Sequence, residues 1–447
     1  MNVGSRFPIS LLLVVAACAV TVHAQDEQNT IRREADGRAF VKSMAERRFD
    51  DCVAMFDSTM KAMMPAARME ETWNAVLKQA GKFKEQQAIR YQKYGVYDIV
   101  IVTCQFEGNP LDVRVVFNQA GRIAGLFFVP SQPAVEYSTP PYVQREAFRE
   151  EEVTVGSGRW SLRGTLTLPV NKTKSPALVL VHGSGPNDRD ETIGPNKPFK
   201  DLAWGLASRS IAVLRYEKRT REHANEMLAL RTTLTVNEET IDDALEAVAL
   251  FRGRAEIDTA RIYVLGHSLG GMLVPRIGMR DSRVAGFIIL AGATRPLEDV
   301  IIEQLTYLFG LDGVTDEQEK TRLEEAKKQR ERIKTLTPAD TSSPGPMFSA
   351  PPSYWLDLRN YDPPALAKKL TVPVLVLQGG RDYQVTKPDF DRWRTALKNR
   401  SNVTFSLYPL LNHLFIEGEG QSTPSEYERA GHVSEQVLTD IVRWLNH

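Results

Sequence analysis

The stretch "RIYVLGHSLGGMLV", residues 261–274, decides the fold. Tyr263, Val264 and Leu265 read as the end of a strand buried on both faces, as strands of a parallel sheet are. Leu269 to Ile277 reads as a helix that starts at once, so the serine between them must make a sharp, strained turn. Gly266 and Gly270 leave the backbone room for it. A G-x-S-x-G turn between strand and helix is the nucleophile elbow, which holds a serine hydroxyl out above a sheet. An ordinary Gly-Ser loop would show the same letters. The reading therefore depends on partners in the right chain order.

Those partners belong to a regular alternation that starts near residue 150. "EEVTV" and "WSLRGTLTLP" flank Gly156-Ser157-Gly158 as a hairpin. Buried-type strands follow at "ALVLVHG", "IAVLRYE", "IYVLGHS", "VAGFIILAGA", "VPVLVLQGG" and "VTFSLYP", with amphipathic helices between them, including 236–252 and 431–446. An antiparallel start followed by a βαβ series gives a mostly parallel sheet with helices on both faces. Eight strands in this order, with the elbow after the fifth, resemble the α/β-hydrolase fold.

In that fold the chain order is Ser, then Asp or Glu, then His. Ser268 is the candidate nucleophile. Asp382 lies just beyond the next strand but one, in "VPVLVLQGGRD", at the carboxyl edge where sites of open α/β sheets gather. A lone Asp in a Gly-rich loop is otherwise turn chemistry. Its rivals Asp357, Asp362 and Asp389 follow no strand directly. Of the seven histidines, chain order excludes His23, His182, His223 and His267 as the base. His413 follows the eighth strand in "LYPLLNHLF", whereas His432 opens the last helix and His447 ends the chain. His413 is the expected base, with Asp382 fixing its tautomer. "LVLVHGSGPNDRD" places His182-Gly183-Ser184-Gly185 at the end of the third strand, so the backbone N–H groups of Ser184 and Leu269 are the expected oxyanion donors. Asp188, Arg189 and Asp190 either brace this loop by pairing with one another or are solvated.

"HGSGPNDRD", "FKDLAWGLASRSIAVLRYEKRT", "GHSLGG", "GGRD" and "NH", in this order, resemble the serine carboxylesterases of the EstD type. That group, within the serine aminopeptidase-like hydrolases, joins a small N-terminal α+β domain to an α/β-hydrolase domain. The resemblance implies hydrolysis of carboxylic esters through an acyl-enzyme, with no metal or cofactor and a small-molecule ester as partner. Residues 296–370 separate the sixth and seventh strands, where this fold carries its lid. "TDEQEKTRLEEAKKQRERIKTL" reads as an exposed helix with supportive Asp316–Lys320 and Glu324–Lys328 pairs. Tyr354, Trp355 and Tyr361, in "SAPPSYWLDLRNYDP", either line the substrate pocket or pack the lid.

The rest of the chain has its own organisation. Residues 29–80 read as helices and 83–130 as an antiparallel sheet, broken by turn chemistry at Gly108-Asn109-Pro110 and Asn118-Gln119-Ala120-Gly121. This is a compact α+β domain over 29–130. Its element order resembles the cone-shaped folds of nuclear-transport-factor or cystatin type. Four prolines in "PSQPAVEYSTPPYVQREAF" make 131–149 a linker to the catalytic part, 150–447. At the front, Arg6, an apolar run and Val22-His23-Ala24 make 1–24 a cleaved secretory signal, while Val15-Ala16-Ala17-Cys18 resembles a lipobox that would anchor Cys18 to a membrane. Either way the mature chain leaves the cytosol. Cys52 and Cys104 are then expected either to be bridged or to be buried separately.

Composition narrows the functions. Lys+Arg and Asp+Glu both number 56, which offers no basic surface for nucleic acid. Three cysteines with no C-x-x-C, and no H-E-x-x-H, argue against structural zinc and zinc proteases. The expectation is an exported serine esterase. An aminopeptidase, amidase or thioesterase would use the same triad, and a ligand-holding protein with a vestigial hydrolase part would not need one.

Overall fold

A computed structural model describes residues 13–94, 97–131, 137–170, 172–230, 232–342 and 345–446, with only the backbone of 13–28. The chain forms two compact units, Met1–Pro133 and Ala134–His447. Residues 1–12 of the expected export signal lie outside the described residues, and 13–24 are the start of a helix, Leu13–Ala45. Among the described residues no helix is long and apolar enough to cross a membrane.

In the first unit, the helices Leu13–Ala45, Phe49–Met55, Ser58–Met63 and Ala66–Ala80 precede four strands: β1 (Phe83–Tyr94), β2 (Tyr97–Phe106), β3 (Leu111–Phe117) and β4 (Ile123–Pro130). They pair antiparallel in the order β1-β2-β3-β4. Alternation decides the inner face. Val100, Val102, Cys104 and Phe106 of β2 and Val113, Val115 and Phe117 of β3 are all fully buried, with Phe40, Val41 and Trp73 from the helices in the same core.

Cys52 and Cys104 both sit in this core as free thiols, not as a disulfide. Each turns to a different carbonyl: Cys52 Sγ lies 3.9 Å from Phe40 O, and Cys104 Sγ lies 3.4 Å from Val102 O. Burial pushes both thiols up to about 12, which keeps them protonated in the folded protein.

The second unit carries an eight-stranded sheet: β5 (Phe148–Val155), β6 (Leu162–Pro169), β7 (Ser175–Val181), β8 (Ala212–Tyr216), β9 (Ile257–His267), β10 (Gly286–Leu290), β11 (Val374–Gly379) and β12 (Val403–Tyr408). Its order is β12-β11-β10-β9-β7-β8-β6-β5. Pairings among β7 to β12 are parallel, and β5–β6 and β6–β8 are antiparallel. This is the α/β-hydrolase sheet expected from the sequence. Side chains alternate between two cores. Val179, Val181 and Val264 face the helices Asp242–Arg252, Leu269–Arg280 and Lys387–Leu397. Leu178, Leu180 and Leu265 face Pro198–Ala207 and Glu435–Leu445. Each such side chain contributes about 1.5–3 kcal/mol by leaving water.

Two local readings change. Residues 137–147, expected as linker, are fastened to the second unit by Tyr137 Oη donating to Asp201 (2.7 Å) and Tyr142 Oη donating to Val433 O (2.8 Å). The charged lid helix spans Glu317–Thr335, but two of its lysines pair three residues back, Lys320 with Glu317 and Lys327 with Glu324, and Lys334 pairs with Asp299. Asp316 is not free for Lys320, because it caps the helix by accepting from Glu319 N.

The free, buried thiols give a direct check. In native protein neither cysteine should react with iodoacetamide, and after denaturation without reductant both Cys52 and Cys104 should be alkylated. Mass spectrometry finding them unmodified and linked after denaturation would restore the disulfide.

Candidate active site

Parallel strands deliver their carboxyl ends to one edge of the sheet, and four of them bring the expected residues there. β9 ends at His267, and Ser268 is the junction to the helix Leu269–Arg280. Its backbone sits at φ 53° and ψ −115°, the strain foreseen for an elbow. The glycines around it are required by backbone contact. A Cβ on Gly266 would lie 2.2 Å from Gly270 O, and one on Gly270 would lie 2.4 Å from Val181 O. No side chain fits either place.

β11 leads to Asp382 and β12 to His413. His413 Nδ1 meets Asp382 Oδ2 at 2.7 Å, with the carboxylate fully buried. Asp382 is held on every side: Oδ1 accepts from Gln384 N (2.8 Å) and Val385 N (2.9 Å), and Oδ2 also accepts from Gln378 Nε2 (3.1 Å). A carboxylate only accepts, so His413 donates to Asp382 from Nδ1. Among the described residues neither His413 Nε2 nor Ser268 Oγ takes part in a hydrogen bond. Ser268 is half-buried, and the ring of its neighbour His267 lies 4.7 Å from that of His413.

The rival residues are engaged elsewhere. Asp357 pairs with Arg276, Asp362 caps a short helix through Ala365 N, and Asp389 accepts from Thr294 and Arg295. His432 turns its two nitrogens to Asp201 and Ser138. His182 is buried, and burial takes its pKa down to about 4, so it is neutral.

β7 delivers the loop His182-Gly183-Ser184-Gly185 against the elbow: a Cβ on Gly183 would lie 3.0 Å from Ser268 Cβ. Ser184 is exposed and Leu269 buried, and neither backbone N–H donates to a partner among the described residues. The braces of this loop differ from the expected ones. Arg189 pairs with Glu152 and Glu217, Asp190 with Arg215 and Lys197, and Asp188 accepts from Asp190 N and Thr192 N.

Tyr354 and Trp355 are 6% and 3% exposed and pack in the large core beside the helix Leu269–Arg280. Their polar atoms are taken by the protein, the indole N–H by Met347 O (3.0 Å) and the Tyr354 hydroxyl by Glu239. Of the two roles open to them, the structure fits lid packing and not an exposed pocket wall.

The residue that the sequence hid is Glu191. It is buried, with φ 52°, and accepts from Gly183 N (2.7 Å) and from His267 Nδ1 (2.8 Å). His267 Nε2 in turn reaches His413 O at 3.0 Å. His267 thus faces a carboxylate with one nitrogen and a backbone carbonyl with the other, a set of acceptors that favours the imidazolium. Burial opposes that charge, but the Glu191 carboxylate outweighs it and raises the His267 pKa. Burial likewise opposes the Glu191 charge, and His267 with the hydrogen bonds lowers its pKa. One carboxylate thus ties the β7 loop, the elbow and the His413 backbone together.

A fold and an edge of this kind define an alpha/beta hydrolase, and the chain belongs to that family, whose model matches residues 178–435. Within the family it is similar to Esterase EstD of Thermotoga maritima, 41% identical over 91% of this chain and 93% of that protein. A family described as a protein of unknown function, DUF3887, matches residues 38–126. Among solved structures, Est1E from Butyrivibrio proteoclasticus is 15% identical with a TM-score of 0.42, covering 66% of this chain and 99% of its own. The acylaminoacyl peptidase of Pyrococcus horikoshii is 12% identical with a TM-score of 0.46, covering 83% of this chain and 57% of its own.

Glu191→Gln should break the buried pair and cost about 3 kcal/mol of stability. The signs fix the pH window. The share from Glu191, whose pKa is lowered, is present above the ordinary 4.5 and is lost as pH falls through the folded value. The share from His267, whose pKa is raised, is present below 6.5 and is lost as pH rises through the folded value. Urea unfolding of wild type and E191Q should therefore differ most between pH 4.5 and 6.5. A difference that stays flat across pH would contradict the charged pair.

Proposed function

We propose that the protein is an exported serine carboxylesterase acting through Ser268, His413 and Asp382. The observation that carries the reading is the buried 2.7 Å hydrogen bond from His413 Nδ1 to Asp382, with Nε2 unspent at the same sheet edge as a strained serine. Similarity to a protein named as an esterase supports the substrate class.

The reaction runs on the chain's own groups and water. Ser268 Oγ bonds to the ester carbonyl carbon while its proton passes to His413 Nε2. The carbonyl oxygen becomes an oxyanion, held by the N–H groups of Ser184 and Leu269, which donate to no other partner among the described residues. Collapse breaks the bond to the alcohol oxygen, and His413 returns the proton to it. Water then attacks the acyl-Ser268 carbonyl with His413 again as base, releasing the acid. Asp382 holds the imidazole in its Nδ1–H tautomer and stabilises the imidazolium formed in each half. Export rests on residues 1–24 and brings either a cleaved signal or a lipid on Cys18, which N-terminal sequencing of material from cells separates.

A fluorophosphonate probe should label one residue, Ser268, and Ser268→Ala should abolish labelling and turnover of simple esters. Asp382→Asn should stay folded and lose on the order of 10⁴ in kcat through the wrong tautomer. Assayed beside thioesters and aminoacyl amides, esters should give the highest kcat/KM. A folded S268A variant with full esterase activity would overturn the mechanism, and amides as the best substrates would overturn the ester assignment.

A further inference from the structure

Lys218 is a buried lysine two residues beyond the end of β8. Its side chain is 2% exposed, and its ammonium has two partners. One is Glu239 Oε1 at 2.7 Å, on the π-helical turn Asn237–Ile241. The other is the carbonyl oxygen of Gly183, also at 2.7 Å. The Glu239 pair alone would neutralise the lysine. The second bond selects one particular peptide group, that between Gly183 and Ser184.

That peptide carries the Ser184 N–H. A trans peptide directs its C=O and N–H in opposite directions, so a cation that fixes the carbonyl also fixes the aim of the N–H. The surrounding contacts turn the same side of the loop toward the exit of β8. Gly183 O also accepts from Asn187 Nδ2 (3.2 Å), Ser184 O accepts from Asn187 Nδ2 (3.1 Å), and Asn187 O accepts from the Lys218 backbone N–H (3.1 Å). With these carbonyls held on one side, the Ser184 N–H is left for the other, and Gly183 lies against Ser268. A positive charge on the carbonyl further polarises the amide and strengthens the N–H as a donor, by the cooperativity of linked hydrogen bonds.

We infer that Lys218 is a positioning residue for the oxyanion site, which aims the Gly183–Ser184 peptide and strengthens its N–H toward the negative charge formed on the substrate oxygen. The inference rests on the serine esterase reading. Glu239 keeps the ammonium charged and in place. Because the Tyr354 hydroxyl engages Glu239, the lid insertion ends on the same chain of contacts.

The test compares three variants of the full chain: Lys218→Gln, the double variant Lys218→Met with Glu239→Gln, which leaves no unpaired charge, and Ser268→Ala as a reference. Each is checked for folding by circular dichroism. The assay reads kcat and KM on a short-chain nitrophenyl ester and the affinity of a trifluoromethyl ketone, whose serine adduct carries an oxyanion. The double variant should lose about 10²-fold in kcat, the scale of one oxyanion donor, with KM held within about twofold. Its ketone affinity should fall in parallel. Gln retains an N–H for Gly183 O without the charge, so K218Q should recover about tenfold of that loss. A folded double variant with kcat and ketone affinity within about threefold of wild type would overturn the inference. So would K218Q and the double variant losing equally, as for mere loss of packing. If the double variant does not fold, K218Q decides, because the inference requires lower kcat at unchanged KM. S268A separates the two levels. An inactive S268A with normal Lys218 variants sinks the positioning claim alone, whereas an active S268A sinks the esterase reading beneath it.

Discussion

The site depends on how closely three pieces of backbone approach at the end of β9. The Gly266 and Gly270 backbones and the β7 carbonyls lie so near that no Cβ fits between them. Ser268 is forced into a conformation costing about 1–3 kcal/mol, which the packed sheet on either side of it must sustain. That strain sets the geometry of the edge. It lifts the hydroxyl out of the sheet and starts a helix beside it whose Leu269 N–H donates to no partner among the described residues.

Buried charge then fixes what the backbone leaves loose. The edge holds three tight pairs: His413 with Asp382, His267 with Glu191, and Lys218 with Glu239. Such pairs are poor contributors to stability, because desolvation consumes most of the attraction. What they supply is direction. Asp382 orients an imidazole, Glu191 joins the β7 loop to the elbow, and Lys218 grips a carbonyl of that loop. The first two pairs join loops that follow different strands, and Lys218 adds the β8 exit to the β7 loop through Gly183 O. Preorganised polar groups of this kind are what stabilising a transient oxyanion requires.

Much of this was legible in the sequence, for physical reasons. The elbow is readable because strained backbone at close quarters admits only glycine nearby. Asp382 and His413 are readable because a parallel sheet delivers its loops to one edge, so strand ends in chain order become neighbours. Glu191, Gln378 and Lys218 were not readable. A charge in a loop looks solvated until its distant partner is known, and Glu191 meets His267 across 76 positions. Tyr354 and Trp355 carry no signal that separates a pocket wall from lid core, since both uses need large apolar rings. Tyr137 and Tyr142 were lost among prolines that suggested a linker, although their hydroxyls anchor that segment. The thiols of Cys52 and Cys104 illustrate the same limit: one small domain contains both, but each packs against its own carbonyl.

The proposed chemistry passes through a covalent bond to Ser268. The most direct measurement is rapid acid quench of the enzyme turning over a nitrophenyl ester, followed by digestion and mass spectrometry of the peptide containing residues 261–274. That peptide should carry the acyl group on Ser268 within the first turnover and lose it as the ester is exhausted. Steady product release with that peptide unmodified at every time point, and no acyl group elsewhere, would contradict it.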